Sequence, residues 1–148
     1  MVLVPLAAAL DATSERNSAL AASYKDGARS ILSRSISSLA LSMADQRREL
    51  GKTLLDLAAI AGTEKAAAEL ETGLLDAPRA WSGTEACDFL NFMVRAETSD
   101  YELLACLAGA FVPLSPDAAE RLASLSEQAR KRAAWAQDHL DLLGICPP

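Results

Sequence analysis

Residues 111–117 read Phe-Val-Pro-Leu-Ser-Pro-Asp, and this stretch decides how the C-terminal half of the chain folds. Pro113 ends one helix, because proline cannot continue a helix interior. Ser115 can cap the next helix, Pro116 fits its first turn, and Asp117 suits the positive end of its dipole. So short a link forces the two helices to run antiparallel. The C-terminal half is therefore predicted to be a helical hairpin.

Both helices of this hairpin carry further boundary signals. The last helix is predicted over residues 116–143, because Gly144 follows it and glycine commonly succeeds the final helical residue. The preceding helix is predicted over residues 84–110, with Ser82 and Glu85 forming a capping box at its start. In each helix, apolar or small residues recur at spacings of three and four, which indicates one buried face.

The first half of the chain shows the same apolar spacing with weaker boundaries. It predicts helices over residues 5–26 and 31–61, with Gly27 marking the first helix end. A crossover of residues 62–83 follows, and it includes a helical patch predicted over residues 64–75. A connection of this length can carry the chain back along the bundle, so that the second and third long helices are parallel.

The predicted fold is all-α: a single domain of residues 1–148 that forms a four-helix bundle with a long crossover between helices 2 and 3. A simple up-down bundle with a folded insertion is the alternative. The composition agrees with the all-α class, since 51% of residues are apolar, only 5% are aromatic, and Ala and Leu are strong helix formers.

Charge and hydropathy limit the classes of partner. The net charge of −6 argues against nucleic acid, whose phosphates require a basic surface. No segment reaches the roughly 18 uncharged apolar residues of a membrane span, so we predict a cytoplasmic protein with no membrane contact. The chain has no Cys-x-x-Cys pair that would suggest a zinc site.

Two segments of the second hairpin resemble the ferritin-like superfamily, especially its rubrerythrin-type members: Ala96-Glu-Thr-Ser-Asp-Tyr101 and, after a proline-containing turn, Leu122-Ala-Ser-Leu-Ser-Glu-Gln-Ala-Arg130. The resemblance implies a bundle that holds two metal ions, with a Glu on the first helix of each hairpin and Glu-x-x-His on the second. The metal-ligand motifs are not intact in this chain. Helix two offers Asp45-Gln-Arg-Arg48 and helix four offers Glu127-Gln-Ala-Arg130, and arginine cannot bind a metal because it stays protonated.

Four polar residues lie on or beside the predicted buried stripes: Asn17, Arg47, Asp100 and Arg130. A buried Asp needs a charged partner to keep its charge. One interpretation is that a buried ion pair or hydrogen-bonded network replaces the metals of the family. If the stripes are rotated slightly, all four side chains reach solvent instead. A small-molecule pocket around Asn17 and Asp100 is a further possibility.

A di-metal site with unusual ligands is the alternative to this metal-free interior. Its ligands would be Glu15, Glu49, Glu97 and Glu127, holding two iron or manganese ions. Such a protein would be a carboxylate-bridged oxidase or peroxidase, or an iron-binding protein. Elemental analysis after anaerobic incubation with ferrous iron distinguishes the two.

The favoured function is non-enzymatic and needs no cofactor. The chain is expected to act through self-association as a homo-oligomer, or by binding a protein partner, because its Ala- and Leu-rich helices leave apolar surface. Trp81 in the crossover and Trp135 on the last helix are the candidate interaction residues. If exposed they would mark such a surface, and otherwise they pack in the core.

Overall fold

The computed structural model describes residues 1–62, 64–76 and 78–144. These described residues are all-α apart from two short strands. Its elements, in chain order, are β1 (Val2–Pro5), α1 (Leu6–Ser30), α2 (Arg34–Ala61), β2 (Ala67–Leu70), α3 (Ala86–Phe111) and α4 (Pro116–Leu143). The described part of the chain therefore contains four long helices, as the apolar spacing predicted. None of the helices in the described ranges is long and apolar enough to cross a membrane.

Helix α4 has the boundaries that its local sequence predicts. The backbone N–H of Ala118 donates to the hydroxyl of Ser115 at 3.2 Å, and Gly144 ends the helix in the left-handed conformation, with φ of 65°. The capping box predicted for α3 is wrong. Glu85 is the N-cap residue and makes no side-chain capping bond, so α3 begins two residues later than expected.

Gly27 does not end α1, which continues to Ser30. The glycine is buried against Phe89 of α3, and a Cβ atom at this position would lie 2.1 Å from the Cε1 and Cζ atoms of that ring. Gly27 therefore serves a close contact between helices, and the sequence signal for a helix end was misleading.

The helical patch predicted over residues 64–75 is wrong, because this segment contains β2. This strand pairs antiparallel with β1, so that Val2 lies opposite Leu70 and Val4 opposite Ala68. Both Ala68 and Leu70 are 1% exposed, which shows that alternate residues of β2 face the helices. The alanines favour a helix in isolation, but pairing with a valine-containing strand and burial on one face override that preference.

The helices share two apolar clusters, one towards each end. The first cluster joins the beginnings of α1 and α4 to the ends of α2 and α3, and includes Leu6, Leu122, Leu57 and Leu107. The second joins the ends of α1 and α4 to the beginnings of α2 and α3, and includes Tyr24, Leu140, Ile36 and Phe89. On each helix, a short segment with buried polar residues separates the parts that belong to the two clusters.

Candidate functional site

A buried ionic cluster lies between the two apolar clusters and draws side chains from all four helices. We define it by seven residues: Arg16, Asn17 and Tyr24 of α1, Arg47 of α2, Glu97 and Asp100 of α3, and Arg132 of α4. Each is buried, and Tyr24, Arg47 and Glu97 are completely so. Charged groups are seldom buried to this extent unless they are paired, so their contacts decide what this interior can do.

Asp100 is held between two arginines. Arg16 Nε donates to its Oδ1 at 3.0 Å, and Arg47 Nη1 donates to its Oδ2 at 2.7 Å. Burial alone would raise the pKa of Asp100, but the two guanidinium groups outweigh it and hold the pKa below its ordinary value. The carboxylate is therefore fixed in its charged form.

Glu97, one helical turn before Asp100, also has both oxygens occupied. Arg132 Nε donates to Oε2 at 3.0 Å, and the hydroxyl of Tyr24 donates to Oε1 at 2.9 Å. Arg47 Nη2 lies 2.9 Å from the same Oε1, in ion-pair contact but at an angle unsuited to a hydrogen bond. Three helices thus meet α3 at this one side chain.

Arg47 is the centre of the ionic cluster. Its Nη1 donates to Asn17 Oδ1 at 3.0 Å, while Asn17 Nδ2 donates to the backbone carbonyl of Arg47 at 2.7 Å. The guanidinium carbon also lies 5.2 Å from the centre of the Tyr24 ring, within cation–π distance. Burial alone would lower the pKa of Arg47, but the carboxylates of Asp100 and Glu97 outweigh it and raise the pKa well above its ordinary value.

Tyr24 stays protonated beside these charges. Burial raises the pKa of its phenol well above the ordinary value, Arg47 opposes this shift, and the charges of Glu97 and Asp100 reinforce it. With its pKa raised, the phenol is protonated at neutral pH and donates to Glu97. Tyr24 is therefore a structural donor to the carboxylate.

The ionic cluster carries an excess of positive charge. Its three guanidinium groups face two carboxylates, and each carboxylate oxygen already accepts from a guanidinium or from Tyr24. A metal ion would have to displace these cations to reach a carboxylate. Within residues 1–62, 64–76 and 78–144, no group of three or more His, Cys, Asp or Glu side chains could hold a metal ion.

The structure brings three of the four predicted polar residues together. Asn17, Arg47 and Asp100 meet in the ionic cluster, whereas Arg130 lies on the surface and pairs with Glu127 of its own helix. The assignment of Arg130 to the interior is wrong, because α4 is rotated so that Arg132 takes that place. Arg132 lies three residues after Ala129 and four before Ala136, both fully buried, and this spacing could have identified it.

The four glutamates of the di-metal alternative do not converge. Glu97 is in the ionic cluster, but Glu15 and Glu49 are exposed, and Glu127 has a half-exposed side chain. Glu49 instead accepts from Lys52, three residues along α2, at 3.1 Å. Glu49 and Glu127 thus form surface ion pairs within their own helices, and they do not meet as ligands of one site.

The two tryptophans have different surroundings. Trp81 is half-buried, and its ring lies 5.2 Å from that of Phe89 and 5.9 Å from that of Phe92. Trp135 is 40% exposed on α4. Trp81 therefore belongs to an aromatic group at the start of α3, while Trp135 is partly exposed to solvent.

Two open clefts adjoin the ionic cluster. One, of about 570 Å³, is lined by Arg16 and Trp81, and the other, of about 340 Å³, by Asn17 and Arg47. Asp100 lines neither, so the predicted pocket between Asn17 and Asp100 is instead filled by guanidinium groups. A comparison with protein families, with curated proteins and with solved structures found no match to this chain.

Proposed function

We propose that this chain is a non-enzymatic bundle of ferritin-like topology that acts by self-association, with the buried ionic cluster in the position of a metal site. The apolar clusters support the topology, because the last turns of α2 and α3 share one cluster and their first turns share the other. The two helices then run in the same direction. The connection between them must return the chain along the bundle, as in ferritin-like folds.

The proposal that the protein is not an enzyme rests on one observation: both buried carboxylates already accept hydrogen bonds from side chains of the bundle. Glu97 and Asp100 bind guanidinium groups, and the phenol of Tyr24 is held as a donor to Glu97. No group of the ionic cluster is left to act as a general base or a metal ligand. Arg47 and Arg132 place positive charge beside Glu97, in an interior where a metal-binding bundle would hold its cations. Binding to another chain is then expected on the surface of the bundle.

One face of α4 presents apolar side chains to solvent. Trp135 is 40% exposed and Leu142 is 84% exposed, and they lie about two helical turns apart on the same side. Tryptophan is among the residues that contribute most to protein interfaces. We refer to Lys131, Trp135, Asp138 and Leu142 as the Trp135 face.

The charges of the Trp135 face suit a second copy of the same chain. Lys131 lies four residues before Trp135 and Asp138 lies three residues after it, and both are exposed. If two α4 helices pack antiparallel about a twofold axis near Trp135, each Lys131 lies opposite the Asp138 of the other copy. The patch is small, so we expect a weak dimer with dissociation in the micromolar range.

Sedimentation velocity between about 5 and 500 µM tests this proposal, since that range brackets a micromolar dimer. The wild-type chain should shift from monomer to dimer, and Trp135→Ser should remain monomeric throughout. Leu55→Ser is the matched control, because Leu55 is 68% exposed on α2 and lies outside the Trp135 face. The double exchange Lys131→Asp with Asp138→Lys should restore association that either single change weakens. A wild-type chain that is monomeric at every concentration contradicts the proposal, as does equal association of Trp135→Ser.

A further inference from the structure

The larger of the two clefts is a candidate second site, and we call it the Trp81 cleft. Its volume is about 570 Å³, within the usual range for small-molecule sites. Its lining includes Arg16, Arg79, Trp81, Phe92, Arg95 and Ser99. The Trp135 face shares none of its residues with this lining, so the two proposals fail or succeed separately.

The lining of the Trp81 cleft is strongly basic for an acidic protein. The chain has a net charge of −6, yet the cleft collects Arg16, Arg79 and Arg95 and only one acidic side chain, Asp88. The ionic cluster immediately behind it, which includes Arg16, also has more guanidinium groups than carboxylates. A concave surface with an excess of one sign of charge attracts ligands of the opposite sign. The cleft is therefore suited to an anion.

Arg16 is a cation of the Trp81 cleft whose position is fixed by its contacts. It is 6% exposed, its Nε donates to Asp100 at 3.0 Å, and its Nη1 donates to the carbonyl of Asp76 at 3.1 Å. A longer bond of 3.4 Å joins Nη2 to the carbonyl of Ala96. These contacts use three of the five N–H donors of a guanidinium and hold its plane in place. A guanidinium fixed in this way is preorganised to receive a carboxylate or phosphate.

Besides its arginines, the Trp81 cleft has aromatic residues in its lining. Trp81 packs against Phe89 and Phe92, and its backbone N–H donates to the hydroxyl of Ser23 at 3.2 Å. The indole Nε1 atom is buried and has no hydrogen-bond partner in the part of the chain that the structure describes. A buried donor without an acceptor is unfavourable, and native structures contain few of them. Because this donor is buried, a ligand in the open cleft would contact the indole ring and not its N–H.

We infer that the Trp81 cleft binds a small aromatic anion, whose carboxylate or phosphate pairs with Arg16 and Arg95 while its ring packs on Trp81 and Phe92. The basic lining selects the charge, and the aromatic wall selects the planar group. This inference goes beyond the proposed self-association, because it assigns a ligand site to a cleft between α1, α3 and the segment before α3. The Trp135 face lies on α4.

Isothermal titration calorimetry on the full chain tests the inference with four probes. Benzoate and phenyl phosphate carry both ring and charge, inorganic phosphate carries only charge, and phenol carries only the ring. We expect benzoate or phenyl phosphate to bind at least about tenfold more tightly than phosphate or phenol, since each half of the ligand adds its own contacts. The inference is overturned if phenol or inorganic phosphate binds as tightly as the aromatic anions. It is also overturned if neither aromatic anion binds at about 10 mM, because a specific site would bind its ligand more tightly than that.

Two variants locate the binding. The change Arg95→Gln should weaken the aromatic anion about tenfold, the size expected when one charge-assisted hydrogen bond is lost. Arg121→Gln, an exposed arginine that pairs with Asp56 elsewhere on the surface, should leave the affinity unchanged. In a Trp135→Phe background Trp81 is the only tryptophan, so its fluorescence should change on binding. Equal affinity of Arg95→Gln and wild type, or an unchanged Trp81 signal, contradicts the assignment.

Discussion

Replacing Asp100 by asparagine keeps the shape of the side chain but removes the charge that holds two arginines. Arg16 Nε lies 3.0 Å from Asp100 Oδ1, and Arg47 Nη1 lies 2.7 Å from Oδ2. Asparagine offers one oxygen to one guanidinium and turns its NH₂ group towards the other. The ionic cluster would then contain three guanidinium groups and a single carboxylate, Glu97.

The expected loss of stability follows from the burial of these groups. Asp100 and Arg47 have side chains that are 4% and 0% exposed, so solvent cannot compensate for the lost charge. Removing one partner of a buried pair costs about 3–5 kcal/mol. For a domain of this size, that corresponds to a fall in melting temperature of roughly 6–20 °C. Urea denaturation at neutral pH, followed by far-UV circular dichroism, measures the difference directly.

The pH dependence of the difference provides a second readout. The pKa of Asp100 is lowered in the folded state by Arg47 and Arg16, against the effect of burial. Its contribution is therefore complete above the ordinary pKa of about 4 and is lost as the pH falls through the lower folded value. The gap between wild type and Asp100→Asn should narrow below about pH 4, because protonation removes the same charge from the wild type.

The excess of positive charge predicts an unequal response to the opposite change. Arg132→Met leaves two guanidinium groups facing two carboxylates, and Glu97 keeps its contacts to Arg47 and Tyr24. It also removes Arg132 Nη2, a buried donor that has no partner in the described part of the chain. We expect it to cost less than Asp100→Asn. An Asp100→Asn variant within about 1 kcal/mol of wild type, the ordinary effect of a substitution, would refute the reasoning, and so would an Arg132→Met variant that is the less stable of the two.

Two further changes test the packing and the phenol. Gly27→Ala should destabilise by about 1–3 kcal/mol, because its Cβ would overlap the ring of Phe89, whereas Gly109→Ala, with open space around it, should stabilise by about 0.5–1 kcal/mol. Equal effects on the urea midpoint would exclude the contact. Tyr24→Phe should cost about 1.5–3 kcal/mol at neutral pH through the lost bond to Glu97. Because burial raises the pKa of Tyr24, wild-type stability should decline above about pH 10 and the gap should close, so a constant gap up to pH 11 would contradict this account.

The helices could be predicted because their signals are local. Ser115 and Gly144 mark α4 within a few residues of its ends, and the apolar spacing is a property of each helix alone. The errors arose where distant residues decide the structure. Residues 67–70 form a strand only because β1 pairs with them, and Gly27 is needed only because Phe89 of another helix packs on it.

The interior site could be predicted in part for the same reason. Asn17 and Asp100 interrupt apolar stripes, and that is visible in one sequence. Their partners are not visible, because a long arginine side chain can reach the interior from the edge of a stripe. Arg16 does so from the position beside Asn17, and Arg132 does so from α4, where the stripe predicted from the sequence favours Arg130 instead. The identity of each pair depends on how the two hairpins meet.

The ionic cluster lies at the contact between the two hairpins. Arg16 and Tyr24 join α1 to α3, Arg47 joins α2 to α3, and Arg132 Nη1 donates to Gln46 of α2 at 3.2 Å. Contacts between apolar side chains are not directional, so an apolar core alone specifies the register of the hairpins less strictly than paired charges do. Paired charges permit one register, although their desolvation offsets much of their attraction. We therefore infer that the ionic cluster specifies the pairing of the hairpins more than it adds to stability. Asp100→Asn should then lose near-UV circular dichroism before it loses helix content, and simultaneous loss of both signals would contradict that role.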